Sequence, residues 1–202
     1  IRHEATGAFA AISAVVGPAD VANTLVKHLK APDRQFRVTT AAAIASAANE
    51  TGAFAILPLL LAEYDTGDLV IQHGVLKALS FMAQFLDPSD LEPLVNSMKP
   101  LIDDALLDSN QVHRQTAASI VDSMAKASIG TGNERIFTHF LNELMPSIFE
   151  TSPHVIDRVV EAISSICDVL GAPAFVNYIW AGLFHPARKV RNIYWQLWNE
   201  MY

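Results

Sequence analysis

One helix start recurs six times along the 202 residues, and it constrains the architecture more than any other feature. It is seen at Ile1-Arg2, Phe36-Arg37, Ile71-Gln72, Val112-His113, Val155-Ile156 and Val190-Arg191. Each start is followed by apolar or small residues four and eight places on, such as Thr40/Ile44, Val75/Leu79, Thr116/Ile120 and Val159/Ile163. The starts lie 35, 35, 41, 43 and 35 residues apart. A period of roughly 35–45 residues marks a solenoid of paired helices. One pair cannot bury its own apolar face, so neighbouring pairs must stack. The pattern therefore predicts an all-α, HEAT-repeat, right-handed superhelical solenoid of about five helical pairs plus one leading helix. It should form a single array over residues 1–202, cut from a longer solenoid, because the chain opens on Ile1 and both ends fall inside amphipathic helices.

The predicted outer helices run near 19–31, 53–65, 88–107, 133–149 and 173–184. Their partners run near 34–50, 69–86, 111–128, 153–170 and 187–201, and the leading helix covers 1–16. Gly17-Pro18 stops the first helix, because glycine ends helices and proline cannot continue one. Asp33, Asp68, Asp108 and Ser152 stand where side chains cap the helices that follow. No stretch alternates with period two for long enough to be a strand. Hydrophobic residues make up 51% of the chain and charged residues 17%, as expected if each helix packs against two neighbours. The longest nearly apolar run, 53–62, is too short to span a membrane, so no membrane role is expected.

A search for chemistry finds little. No Gly-rich phosphate loop with Lys-Ser/Thr and no Gly-x-Ser-x-Gly elbow is present. The seven histidines lie in different repeats without zinc-ligand spacing. Asp103-Asp104 point about 100° apart on a helix and read as a solvated face. Cys167 reads as a small buried hydrophobe. The expectation is a chain with no catalytic residues, no metal and no cofactor: a binding scaffold rather than an enzyme.

Charge narrows the partner. The net charge of −7 argues against broad, non-specific nucleic-acid binding. Basic residues nevertheless gather at the starts of partner helices: Arg2, Arg34, Arg37, His113, Arg114, Arg188, Lys189 and Arg191. In a regular stack they would fall along one edge as a basic ridge. That ridge could hold a phosphate backbone, or its members could tie repeats together by pairing with neighbouring acids.

Several stretches carry a family resemblance. They are Arg34-Gln35 with Arg37-Val38, Gly74-Val75-Leu76-Lys77 with Leu79-Ser80-Phe81, Val112-His113-Arg114-Gln115-Thr116-Ala117, Phe149 to Ile156, and Phe184-His185-Pro186-Ala187-Arg188-Lys189-Val190-Arg191. With them the chain resembles the C-terminal HEAT repeats of the large subunit of splicing factor 3b, the scaffold of the U2 snRNP. Departures at His3–Thr6, across 87–99 and at 125–137 suggest a distant, fungal ortholog. The resemblance implies a nuclear pre-mRNA splicing scaffold whose superhelix holds the duplex of branch-site pre-mRNA and U2 snRNA. It implies a branch-adenosine pocket lined by Arg2, Thr6, Val38, Ala42 and Phe85. It also implies RNA-backbone contacts from Arg34, Arg37, His113 and Arg114. The implied partners are a small zinc-binding subunit and a large β-propeller subunit of splicing factor 3b. The alternative from another class is a protein-only HEAT scaffold, such as a transport receptor or a phosphatase scaffold.

Overall fold

Asp33 and Asp68 are the clearest local determinants of the fold, because each carboxylate ends a turn and starts a helix. Asp33 accepts the backbone N–H of Gln35 and of Phe36, both at 3.1 Å. Asp68 accepts those of Val70 at 2.8 Å and Ile71 at 3.3 Å. Each thus satisfies two of the four N–H groups that a helix start leaves without partners. The computed structural model describes residues 7–8, 11–12, 14–87 and 89–201, with the side chain of Pro18 outside the description. Most of the predicted leading helix, with Arg2 and Thr6, lies outside the described residues. Among the described residues there is no strand, and every element is helical.

The order is α1 (Pro18–Lys27), α2 (Arg34–Thr51), α3 (Ala53–Tyr64), α4 (Leu69–Met82), α5 (Leu91–Leu107), α6 (Gln111–Ala127), α7 (Glu134–Leu144), α8 (Pro153–Leu170), α9 (Ala172–Ile179) and α10 (Arg188–Glu200). Short 3-10 turns extend α1, α4, α7 and α9, at His28–Lys30, Ala83–Phe85, Met145–Phe149 and Trp180–Phe184. These tight ends account for helices that the sequence pattern reads as longer. At Met145–Phe149, for instance, Pro146 has no N–H to give to the α-helical ladder. α5 starts at Leu91 rather than 88. The Asp87 carboxylate accepts the N–H (2.8 Å) and the hydroxyl (2.7 Å) of Ser89, which holds a turn there instead.

The chain divides into two compact units, Ile1–Leu101 and Ile102–Tyr202, with the boundary inside α5. In the first, α2 packs against α4, α1 against α2 and α3, and α3 against α4. The buried face of α2 is small: Ala41, Ala43, Ala45, Ala47 and Ala48 surround Ile44. Small side chains let α4 come close with its own buried Ile71, Val75, Leu76 and Leu79. Gly74 of α4 lies against Leu29, where an added Cβ would sit 3.2 Å from that side chain.

In the second unit α8 is the central helix, with α6, α7, α9 and α10 packed on it. The buried phenylalanines Phe137, Phe140 and Phe175 fill this core. One polar tie crosses it: the Ser165 hydroxyl donates to Asp122 at 2.5 Å, and Lys126 pairs with the same carboxylate at 2.9 Å. Cys167 is buried, as expected.

The third cap corrects the sequence reading. Asn110, not Asp108, caps α6, with its side-chain oxygen 2.9 Å from the N–H of Val112. Asp108 instead accepts the N–H of Asn110 at 2.8 Å. Ser152 holds the cap position of α8, but its hydroxyl makes no capping bond. The cap positions are Asp33, Asp68, Asn110, Ser152 and Ala187, so the repeats are spaced 35, 42, 42 and 35 residues. His113-Arg114, rather than Val112-His113, is therefore the pair equivalent to Phe36-Arg37.

Candidate nucleic-acid interface

The fourth residue after the cap has a recurring task. At this position Arg37 donates from Nη1 to the carbonyls of Ala31 (2.6 Å) and Pro32 (2.8 Å). Arg114 does the same to Asp108 (2.6 Å) and Ser109 (2.9 Å). Arg191 repeats it to His185 (2.8 Å) and Pro186 (3.4 Å). Gln72, the equivalent residue of α4, reaches the carbonyl of Tyr64 at 3.3 Å. Three guanidinium groups thus pin three intra-pair turns, each replacing water on two carbonyls that the chain reversal leaves without backbone partners.

These contacts divide the predicted basic ridge. Arg114 also pairs with Glu150 at 2.8 Å, and its side chain is only 13% exposed. Arg37 is half-buried behind its turn. His113 is fully buried, with Nδ1 2.6 Å from a carboxylate oxygen of Asp108. A ring with no exposed surface cannot meet a phosphate, so His113 leaves the RNA-backbone set. It occupies the core position that Ile71, Val155 and Val190 hold in other repeats. The Asp108 carboxyl is held below its usual range, first by the N–H of Asn110 and, against the cost of burial, by His113. Arg34 is different: it is exposed and makes no polar contact among the described residues.

The other predicted cluster lies in the first unit. Phe85 ends the 3-10 turn after α4 and is 58% exposed. It borders a cleft of ≈ 210 Å³ between the C-terminal ends of α2 and α4, with Ala45, Asn49, Met82, Asp87 and Asp90 among its walls. This is smaller than the ~300 Å³ at which small-molecule pockets begin. Asp87 sits at the cleft with its carboxyl held below the usual range, first by the Ser89 N–H and then by the Ser89 hydroxyl. Val38 is 38% exposed and Ala42 half-buried. They sit about two turns and one turn nearer the start of α2 than Ala45. The cleft therefore gathers Phe85 with residues the sequence reading did not name, Asn49, Asp87 and Asp90, and leaves Val38 and Ala42 along the same helix. Nothing in the sequence pattern sets Asp87 and Asp90 beside an aromatic ring; the turn that Asp87 makes with Ser89 does.

Among the described residues no group of three His, Cys, Asp or Glu side chains could hold a metal ion, and no helix is long and apolar enough to cross a membrane.

No protein-family model matches the chain. Solved structures share its fold at low identity. An engineered protein superposes with a TM-score of 0.63 at 16% identity, covering 97% of this chain and 83% of that one. A designed armadillo repeat protein does so at 0.58 and 16%, covering 100% and 95%. These likenesses make the fold a helical-repeat solenoid of the armadillo and HEAT kind. Two yeast proteins are close in sequence. The U2 snRNP component prp10 of Schizosaccharomyces pombe is 43% identical over all 202 residues. The U2 snRNP component HSH155 of Saccharomyces cerevisiae is 45% identical over 139 residues, 69% of this chain. The chain spans 17% of the first protein and 14% of the second. A match over all 202 residues carries the resemblance read from Phe184–Arg191 and its companions across the whole chain, which belongs to the family of the splicing factor 3b large subunit, a U2 snRNP component.

Proposed function

We propose that this chain is the part of a nuclear pre-mRNA splicing scaffold that holds the branch-site/U2 snRNA duplex and receives the branch adenosine. The observation that carries the reading is 43% identity to a U2 snRNP component along the whole chain. The cleft beside Phe85 supports a base rather than a phosphate as its occupant. An exposed aromatic ring offers a stacking face. Asp87 and Asp90 would repel a phosphate, yet either can accept a hydrogen bond from the exocyclic amine of an adenine. Val38 and Ala42 extend the same helix toward Arg34, whose exposed guanidinium suits a backbone phosphate. Arg2 and Thr6 keep their place in the proposed pocket through the resemblance alone. The small zinc-binding subunit and the large β-propeller subunit of splicing factor 3b are the proposed protein partners.

The test is immunoprecipitation of the whole protein followed by RNA sequencing. U2 snRNA and intron branch regions should be enriched. Recovery of neither, together with a response to a small GTPase, would replace this reading with a transport receptor.

A further inference from the structure

The segment from Lys27 to Arg37 differs in charge from the rest of the chain. It holds Lys27, Lys30, Arg34 and Arg37 against a single acid, Asp33, within a chain of net charge −7. The acid is already occupied: both carboxylate oxygens accept helix N–H groups of α2. Arg37 is turned inward, and by gripping the carbonyls of Ala31 and Pro32 it fixes the turn that follows Lys30. Lys27, Lys30 and Arg34 are exposed and form no ion pair among the described residues. The same segment carries an aromatic pair. Phe36 is 47% exposed, and His28 meets it edge to face, with ring centroids 5.7 Å apart and planes at 88°.

A large exposed aromatic ring in the first turn of a helix is poor economy for stability, because the equivalent residues Ile71, Val155 and Val190 are buried. Here His28 braces the ring while much of it stays open to solvent. Exposed aromatic rings flanked by unpaired cations are the recognition surface of single-stranded nucleic acid: bases stack, and phosphates meet the cations. An acidic protein segment would use the cations but has no need of the ring.

We propose that Phe36, braced by His28 and flanked by Lys27, Lys30 and Arg34, is a stacking platform for an unpaired RNA nucleotide, separate from the cleft at Phe85. The proposal rests on the reading of the chain as an RNA-holding scaffold, and it adds a second contact to that scaffold. Fixing the turn through Arg37 pre-organises the site. The RNA then orders one ring and three side chains rather than a loop.

The experiment is fluorescence anisotropy of a labelled ten-nucleotide oligouridylate with the whole protein and its variants, each checked for an unchanged melting temperature. Phe36→Ala should weaken binding about 5- to 150-fold, the range set by the loss of one base–aromatic stack. Phe36→Tyr should retain binding. Lys30→Ala and Arg34→Ala should each reduce the slope of log K against log salt by about 0.7, one phosphate contact on a single strand. Binding by Phe36→Ala within twofold of the parent overturns the platform. So does equal competition by oligoglutamate that depends on Lys30 but not on Phe36, which would make the patch a docking site for acidic protein. Co-purification of the parent protein with U2 snRNA is measured alongside. If it holds while Phe36→Ala binds normally, the platform fails and the scaffold reading stands. If it fails, the scaffold reading falls, and the oligouridylate result still decides the platform.

Discussion

Arg114 separates a structural guanidinium from an RNA-binding one, and the structure sets the size of the effect. Replacing it by alanine removes two charge-assisted bonds to the carbonyls of Asp108 and Ser109 and the pair with Glu150. Hydrogen bonds to a charged group contribute about 1.5 kcal/mol each at the low end. A partly exposed ion pair adds no more than ~1 kcal/mol. Against this, alanine has no rotamer entropy to lose on folding, whereas fixing the arginine in its clamp costs up to ~2 kcal/mol. The net loss is about 2–3 kcal/mol, or about 4–12 °C in melting temperature for a chain of this length. Arg37→Ala should cost less, for want of an acid partner among the described residues. Arg191→Ala should cost least, since its second contact is 3.4 Å. Glu150→Gln, which leaves both carbonyl bonds in place, should cost under ~1 kcal/mol. The assay is thermal unfolding by circular dichroism, paired with RNA association of the same variants at a temperature where all remain folded. Arg114→Ala should lose stability, while RNA association should follow only the folded fraction. The family resemblance implies the opposite for Arg37 and Arg114, a loss of RNA association larger than the loss of stability. If Arg114→Ala melts within ~0.5 kcal/mol of the parent, the level of ordinary surface changes, the clamp argument is wrong.

Three further outcomes follow from single sites. Gly182→Ala should destabilise by about 1–3 kcal/mol or more, because the new Cβ would lie 2.3 Å from the Tyr194 ring; a variant that melts like the parent would show that the helices part easily there. The Cys167 thiol is pushed up to about 11, by burial first and by Asp168 second, so it should react with a thiol reagent at pH 8 only when the protein unfolds, as followed by absorbance with and without denaturant. The Asp108 carboxyl lies below its ordinary range in the folded chain, so its stabilisation is full above the unfolded value of ~3.9 and is lost as pH falls through the lower folded value. Asp108→Asn should flatten that acid limb of the unfolding curve, and an unchanged limb would assign acid sensitivity to other carboxylates.

The repeat period, the helix pairs and the Asp33 and Asp68 caps were legible because each follows from local rules, namely apolar spacing and side-chain capping. The one-residue slip at His113 has an equally local cause. Asp108-Ser109-Asn110 offers three capping side chains, and hydrophobic spacing cannot tell which one the turn selects. The slip had a functional cost, since it put a core histidine on the basic ridge and hid the equivalence of Arg37, Arg114 and Arg191. That equivalence was available: counted from the true caps, the three arginines share one position. What the sequence could not supply was direction. Arg34 and Arg37 lie three residues apart on one helix, yet one faces solvent and the other binds the turn behind it. The difference comes from the two carbonyls that Ala31-Pro32 leaves open. At the cleft the same limit applied. Phe85 could be read as core from its spacing to Met82, but Met82 is buried and Phe85 is not, because the 3-10 turn at Ala83–Phe85 swings the ring off the helix face. An argument about which side chain meets a ligand therefore needs the backbone at a helix end, where an α-turn and a 3-10 turn aim the same residue in different directions.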